Sequence, residues 1–490
     1  MRSAHHLSQD VSNLTMRIPA QELPVGYRPD VVVIGGGAAG TAAAIAAARN
    51  GAVTLLIEQR GYLGGMGTAA LVPAFCPFTD GEKPVIRGIG LELMEEMKRN
   101  SGDTYLDMYR DTLDWVPIHV EVLKRVYDEA LVGSGAVPLF HTFVDQAIVN
   151  GGRIEGIVIS NKSGRSVVQA KLYIDATGDA DIAALAGVPF HVGGEEGELQ
   201  PATMCFVVSG ADKERFQQYV KQSGQNLALE ETVQAAQRNG DLPEGRKRIS
   251  GMAWLSESTV GFNFGHVFGV DGTKAEDLTR AAIEGRQLVE TQLRFLRSYV
   301  PGFERAHLVH TGDQIGIRET RRIVGDYMLV VDDFMRMRSF EDDIARNAYF
   351  IDIHLASAGS RMQIKHLPRG KSHGIPYRCL LPQGVANLVV AGRSVSSDRM
   401  VQGALRVMPN CFAMGQAAGT AAAMAASSGQ DFRAVPISNL QQTLVDQGAW
   451  LGDRTDRESA IAVTQPSDRI DWDDEDYPQE ILEDTCGQKD

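Results

Sequence analysis

The strongest constraint on the fold is the run from residue 30 to residue 58, DVVVIGGGAAGTAAAIAAARNGAVTLLIE. Its opening apolar stretch, bounded by glycines, predicts a central parallel strand buried on both faces. TAAAIAAARNG predicts an Ala-rich helix ending at Gly51, and AVTLLIE a second strand ending at Glu58. Such a strand, helix, strand unit requires a crossover, hence an α/β fold. Gly35, Gly37 and Gly40 fall between strand and helix. Glycines there let backbone N–H groups and the helix N-terminus approach a pyrophosphate, and an acid at the end of the next strand accepts hydrogen bonds from an adenosine ribose. Glu58 therefore points to a bound dinucleotide and disfavours a phosphorylated ribose, hence NADP. It does not separate FAD from NAD.

A chain of 490 residues with 43% hydrophobic content can bury a large core, and its length suggests two domains or one with insertions. The 62 acidic residues against 48 basic ones give a formal charge of -14, which repels nucleic acid and anionic lipid. The N-terminal segment lacks an apolar run of signal-peptide length, and no stretch is long enough to span a bilayer, so a cytoplasmic protein is expected. Cys76, Cys205, Cys379, Cys411 and Cys486 form no CxxC pair, which argues against an iron–sulfur cluster, a structural zinc site or a redox dithiol. No metal site is expected.

Residues 1–27 are expected to be a flexible arm. Further along, AVPLFHTFVDQAIVNGGRIEGIVISNKSGRSVVQAKLYIDATGDA predicts short strands with turns at residues 150–152 and 163–164. The character changes near Val192: polarity is mixed, and AEDLTRAAIEGRQLVETQLRFLRSYV reads as a long amphipathic helix. Residues 192–306 are therefore expected to form a separate substrate domain, with 28–191 and 307–430 as a discontinuous nucleotide domain. Residues 431–490 would be a C-terminal extension whose tail, SDRIDWDDEDYPQEILEDT, is strongly acidic.

Three further segments carry a resemblance. RGYLGGMGT follows Glu58, the strand ending IDATGDAD carries an Ala176-Thr177-Gly178 turn, and NLVVAGRS places Gly392 and Arg393 after a strand. With GIRETRRIVGDYMLV, GIPYRCLLP and LRVMPNCFAMGQAAGTAAA in the same order, the chain resembles the FAD-dependent oxidoreductases, glutathione-reductase-like flavoproteins whose flavin domain is related to fumarate reductases. The resemblance implies an α/β fold with a Rossmann-like FAD-binding domain, having a central parallel sheet and a three-stranded β meander, and an inserted α+β cap. It implies extended FAD on Gly35, Gly37, Ala38, Ala39 and Gly40, with Glu58, Gln59 and Arg60 near the ribose. Gly64, Gly65, Met66 and Thr68 would continue the phosphate and ribityl wall, Val144 would meet the adenine, and Ala176, Thr177 and Gly178 would lie beside the adenosine. Gly392 and Arg393 would serve the pyrophosphate or ribityl side, and Val407 and Met408 the ring. No histidine lies near Gly64 and Gly65, so FAD is expected to be non-covalent.

A single GxGxxG turn and the lack of a CxxC make nicotinamide-driven disulfide reduction improbable. The expected reaction is removal of hydride from a small polar metabolite, at CH–OH or CH–NH, to flavin N5, with reoxidation by an external acceptor. A flavin monooxygenase, a fumarate-reductase-like alkene reductase and an electron-transfer subunit are alternatives, and assembly of identical chains stays open. Candidate catalytic groups are His354 in IDIH, His373, and the arginines Arg318 and Arg378. Histidine titrates near neutrality and suits proton transfer, while an arginine can clamp a carboxylate or donate a proton. An equal expectation for GIRETRR is a structural network with Glu319 and Asp326. His266 occupies a point where related sequences commonly carry arginine. The glycines of the Ala-rich segment after Met408 share a helix face suited to close packing, expected to lie on the sheet.

Overall fold

The computed structural model describes residues 15–244, 248–354 and 362–453. The acidic tail, Cys486 and the first part of the arm lie outside the described residues. Five parallel strands form the central sheet, in the order Leu388–Val390, Leu172–Asp175, Val31–Ile34, Thr54–Ile57, Val137–Leu139. Val31 pairs with both Thr54 and Leu172, so the first strand is central and buried on both faces, as its apolar run requires. The chain leaves this strand on one side and later returns on the other. That is a topological switch point, and open α/β sheets bind ligands in the crevice at such a point.

The helix Ala38–Arg49 follows the first strand and is buried along nearly its whole length. Its partner is the helix Met408–Ser428, the Ala-rich segment expected on the sheet. The small face instead meets the first helix. A Cβ on Gly415 would lie 2.1 Å from Ala39 O, and one on Gly419 would lie 2.0 Å from Ala43 O. Each glycine costs a helix about 1 kcal/mol relative to alanine. Here it permits a backbone approach that no side chain allows, and the two helices share one core.

A second sheet runs Val25–Tyr27, Gly164–Val168, Arg153–Asn161, Phe143–Asn150. Its last three strands are the antiparallel meander, turning as the sequence predicts. The first corrects the expectation of an arm through residue 27. Val25–Tyr27 pairs in parallel with the meander edge, and Val167 N donates to Pro24 O at 2.9 Å. Both Val25 and Tyr27 are exposed, so backbone pairing holds the strand and no apolar pattern announces it.

The middle region forms its own antiparallel sheet, in the order Met252–Trp254, Thr259–Phe262, Phe206–Ser209, His307–Thr311. The amphipathic helix Ala275–Tyr299 belongs to the same packing unit, where Trp254, Phe206, Phe262 and Phe303 cluster. His307–Thr311 pairs with Phe206–Ser209, although the boundary expected at residue 307 assigns it to the nucleotide side. This edge strand is largely exposed, and the strand it pairs with lies about a hundred residues away, so local patterning carries no sign of the pairing. Among the described residues, no helix is long and apolar enough to cross a membrane.

Candidate functional site

At the switch point, Gly35 has φ +96°, and a Cβ there would lie 2.5 Å from Ala176 O. Only glycine lets the two strand ends approach this closely. Gly37 caps the first helix with no side-chain hydrogen bond, and a Cβ on it would meet nothing nearer than Gly65 Cα at 4.0 Å. No side chain therefore caps the first-turn N–H groups at Ala38 and Ala39, which suits a diphosphate. Glu58 fastens the turn as well as closing it: its Oε2 accepts from Gly36 N at 2.7 Å and its Oε1 from Arg60 N at 2.9 Å. Carboxylate oxygens retain lone pairs for ribose hydroxyls. Gln59 beside it is exposed.

The remaining wall converges on the same place. Gly64 N donates to Gly36 O at 2.8 Å, Thr68 Oγ1 donates to Leu63 O at 2.7 Å, and a Cβ on Gly65 would lie 3.0 Å from Gly37 Cα. Val144 sits at the start of the meander, which Thr142 N ties to Glu58 O at 3.1 Å. Across the turn, Asp175 is fully buried and accepts from Thr177 N, Thr177 Oγ1 and Ala183 N. Burial pushes its pKa up to about 6, against the opposing pull of those hydrogen bonds. Gly178 is pressed against the guanidinium of Arg393, which ion-pairs with Asp179 at 2.7 Å and keeps a buried Nε without a partner. Open glycine, uncapped helix and an unpartnered guanidinium N–H together fit an extended dinucleotide.

Beyond Arg393 lies a cavity of ≈ 140 Å³ that also reaches Met66, Val407 and Met408. Val407 caps the helix Met408–Ser428 with no side-chain hydrogen bond, so a second helix N-terminus faces this space. Partial positive charge there favours an electron-rich ring. The far wall carries Arg318, Asp352, His354 and Arg406. Asp352 is the middle residue of the strand Ile351–Ile353 and His354 follows the strand, so the motif IDIH brings His354 Nε2 to 3.2 Å from Asp352 Oδ1. This is an ion-pair contact without the alignment of a hydrogen bond, since Oδ1 has no hydrogen-bond partner. His354 Nδ1 lies 3.1 Å from His266 Nε2, with the rings edge to face. Arg406 Nη2 donates to Asp352 O at 2.9 Å and to its Oδ2 at 3.0 Å. Burial alone would raise the Asp352 carboxyl, but His354, through its charge when the ring is protonated, and the fixed charges of Arg406 and Arg318 hold it well below the usual carboxylate range. Arg318 lies 8% exposed, with Nη1 on Pro201 O and Thr203 Oγ1.

Two candidates fall elsewhere. His373 is fully buried in the strand His373–Pro376, against Phe334, with Asn347 Nδ2 at 2.9 Å from its Nε2 and Gly374 O at 2.9 Å from its Nδ1. It does not line the cavity, and burial pushes its pKa down to about 4. Arg378 forks onto Asp342 at 2.9 and 3.0 Å and stacks over Tyr327, also away from the cavity. Neither position suits catalysis. The arginine cluster divides: Arg318 faces the cavity, Arg322 and Arg399 hold Glu319, and Arg321 pairs with Asp181. Asp326 pairs instead with Arg433. Cys205 lines the cavity, but burial pushes its thiol up to about 12.

Sequence reasoning gives no role to Arg406, Asp179 or Tyr349, whose hydroxyl donates to Asp352 Oδ2 at 3.3 Å. Arg406 stands one residue before the Val407 cap, and that adjacency is the signal available for it. Asp179 meets the site through a long-range contact with Arg393, whereas Tyr349 stands only three residues before Asp352.

No curated protein matches the sequence. Among solved structures, a geranylgeranyl bacteriochlorophyll reductase-like protein from Thermoplasma acidophilum is 14% identical, with 89% of this chain and 87% of that one covered and a TM-score of 0.45. The p-nitrophenol 4-monooxygenase PnpA of Pseudomonas putida is 10% identical, with coverages of 94% and 93% and a TM-score of 0.42. The myxobacterial halogenase CndH is 14% identical, with coverages of 85% and 78% and a TM-score of 0.41. The family model for FAD dependent oxidoreductase matches residues 30–444, from the first strand of the cradle through the helix Met408–Ser428 and beyond. The chain belongs to the FAD dependent oxidoreductase family, and its cofactor is FAD.

Proposed function

We propose that the enzyme oxidises a small anionic metabolite at a carbon bearing a hydroxyl or amine, with an external acceptor completing the cycle. The observation that carries this reading is Arg406: two hydrogen bonds of its Nη2 go to Asp352, while its buried Nε has no acceptor among the described residues, at a cavity that Arg318 also lines. A buried guanidinium N–H without an acceptor costs about 1–3 kcal/mol or more, which an anionic oxygen would relieve. FAD, when bound, supplies the two-electron acceptor. His354 supplies the proton acceptor. With Nδ1–H donating to His266 Nε2, the neutral ring leaves Nε2 to take the hydroxyl or amine proton. The resulting imidazolium is held between the Asp352 carboxylate and His266, which favours the proton's arrival.

A second reading is flavin-dependent monooxygenation. Apolar walls from Met66, Val72, Trp115 and Val407 support it, because oxygen chemistry requires water to be kept out. It is also the reaction class named for PnpA. Anaerobic mixing separates the two. On the first reading, a panel of hydroxy acids and amino acids contains a compound that bleaches the flavin by itself. If no compound bleaches it and reduction requires NAD(P)H, with oxygen then entering the product, the first reading is lost to the second.

A further inference from the structure

The middle region holds a second cavity, of ≈ 480 Å³ against ≈ 140 Å³ beside the flavin wall. Pockets that take small organic molecules span about 300–1,000 Å³. Its walls are mainly apolar, from Leu242, Phe264, Val267, Phe268 and Leu288. One buried amide interrupts them. Gln292, on the helix Ala275–Tyr299, is 2% exposed, and its Nε2 donates to Phe264 O at 2.8 Å. Its Oε1 is buried with no hydrogen-bond partner among the described residues. The amide cannot flip to relieve this, because a flip would set two carbonyl oxygens against each other at Phe264. Gly265 holds the arrangement closed: its φ is +91°, and a Cβ there would lie 2.1 Å from Gln292 Nε2. Among the described residues, a buried acceptor is thus kept at a cavity wall without a donor.

The cavity communicates with the flavin-side cavity through two hydrogen-bonded links. His266, on its wall, contacts His354 at 3.1 Å. Gly265 O accepts from Thr203 Oγ1 at 2.9 Å, and that hydroxyl accepts from Arg318 at 2.9 Å. On the outer side Glu284, paired with Arg280, brings acidic charge to the rim and disfavours an anionic ligand.

We infer that this cavity is a second organic-ligand site, taking a small neutral aromatic or alicyclic molecule whose hydroxyl or N–H donates to Gln292 Oε1. It stands apart from the anion-binding wall at Arg318 and Arg406, and no step of the proposed oxidation is needed to detect it. The FAD-loaded protein is titrated with 4-fluorophenol, and with fluorobenzene as the same ring without a donor, by fluorine NMR. The expected result is phenol binding at least about tenfold tighter than fluorobenzene, the factor that about 1.4 kcal/mol represents. Gln292→Met should bring the two probes to within about threefold, and Leu288→Trp should abolish binding of both. The flavin spectrum and melting midpoint show whether each variant is folded, and Phe268→Trp replaces Leu288→Trp if that variant is not. Equal affinity of the two probes for the wild type, no binding of either, or undiminished binding by a folded cavity-filling variant overturns the inference. None of these outcomes depends on turnover, so failure of the oxidation reading leaves the result interpretable.

Discussion

Two buried polar clusters close to one another in sequence differ in one respect that decides their roles. Around His354, the neighbours are an ionised carboxylate, two arginines and a second histidine, all at or beside a cavity wall. Around His373, the direct partners are the amide of Asn347 and the carbonyl of Gly374, within a packed core. Burial is common to both. What differs is whether a charge is held ready and whether anything from outside can reach it. A histidine with both nitrogens occupied by neutral protein groups and no adjoining space is a packing element that happens to be polar.

The sharpest way to break this contrast is to truncate each ring. His354→Ala should retain FAD and lose substrate-dependent flavin reduction by about two to four orders of magnitude, the range for loss of a positioned acid–base group. His373→Ala, compared per folded molecule, should keep its rate. Stopped-flow bleaching under anaerobic conditions reads both, and a reversed ranking would move the chemistry to the core cluster.

Much of the nucleotide cradle was legible in the sequence because it is local. Gly35, Gly37, Gly40 and Glu58 lie within one strand, helix, strand unit, where spacing alone fixes geometry. Ala176 and Arg393 required a resemblance, since the parallel sheet brings them to that unit from far along the chain. The wall proposed to act in catalysis was only half legible. IDIH displays a carboxylate and a histidine two residues apart, yet the contacts that separate His354 from His373 come from His266 and Arg406. The helix Met408–Ser428 shows the same limit: its small face was visible, but whether it met a sheet or a helix depended on Ala39 and Ala43, almost four hundred residues earlier.

A smaller effect tests the core cluster by pH. The unfolded His373 ring titrates near 6.5, whereas the buried ring is pushed down to about 4. Between those values the unfolded chain holds a proton that the folded one lacks, so this group's contribution to stability falls as pH drops from about 6.5 to 4, by about 3 kcal/mol in all. Asp175 acts in the opposite sense. Its carboxyl, pushed up to about 6, takes its proton earlier in the folded state, so its contribution grows as pH falls toward 4. The two offset in the wild type, and the informative quantity is a difference. Urea unfolding of His373→Leu against wild type should show a gap that narrows as pH falls from 6.5 to 4. A gap independent of pH would mean that the ring is not held neutral.

The smallest effect belongs to Arg378, the other displaced candidate. Its guanidinium is half exposed, and its fork onto Asp342 lies where solvent screens the pair. Exposed ion pairs contribute about 0–1 kcal/mol, and the guanidinium over the Tyr327 ring adds a comparable amount at most. Arg378→Ala should therefore lower stability by no more than about 1–2 kcal/mol, less in high salt, and leave the anaerobic reduction rate within a factor of about two. Arg406→Ala at the cavity should cost much more rate, because it removes both the clamp and the nearest fixed cation to Asp352 Oδ2. If Arg378→Ala proved the slower enzyme, the anionic substrate would have to bind outside the cavity that Arg318, Arg406 and His354 share. Charge alone would then be no guide to the site, and the cluster around His354 would lose its claim to be the one that substrate reaches.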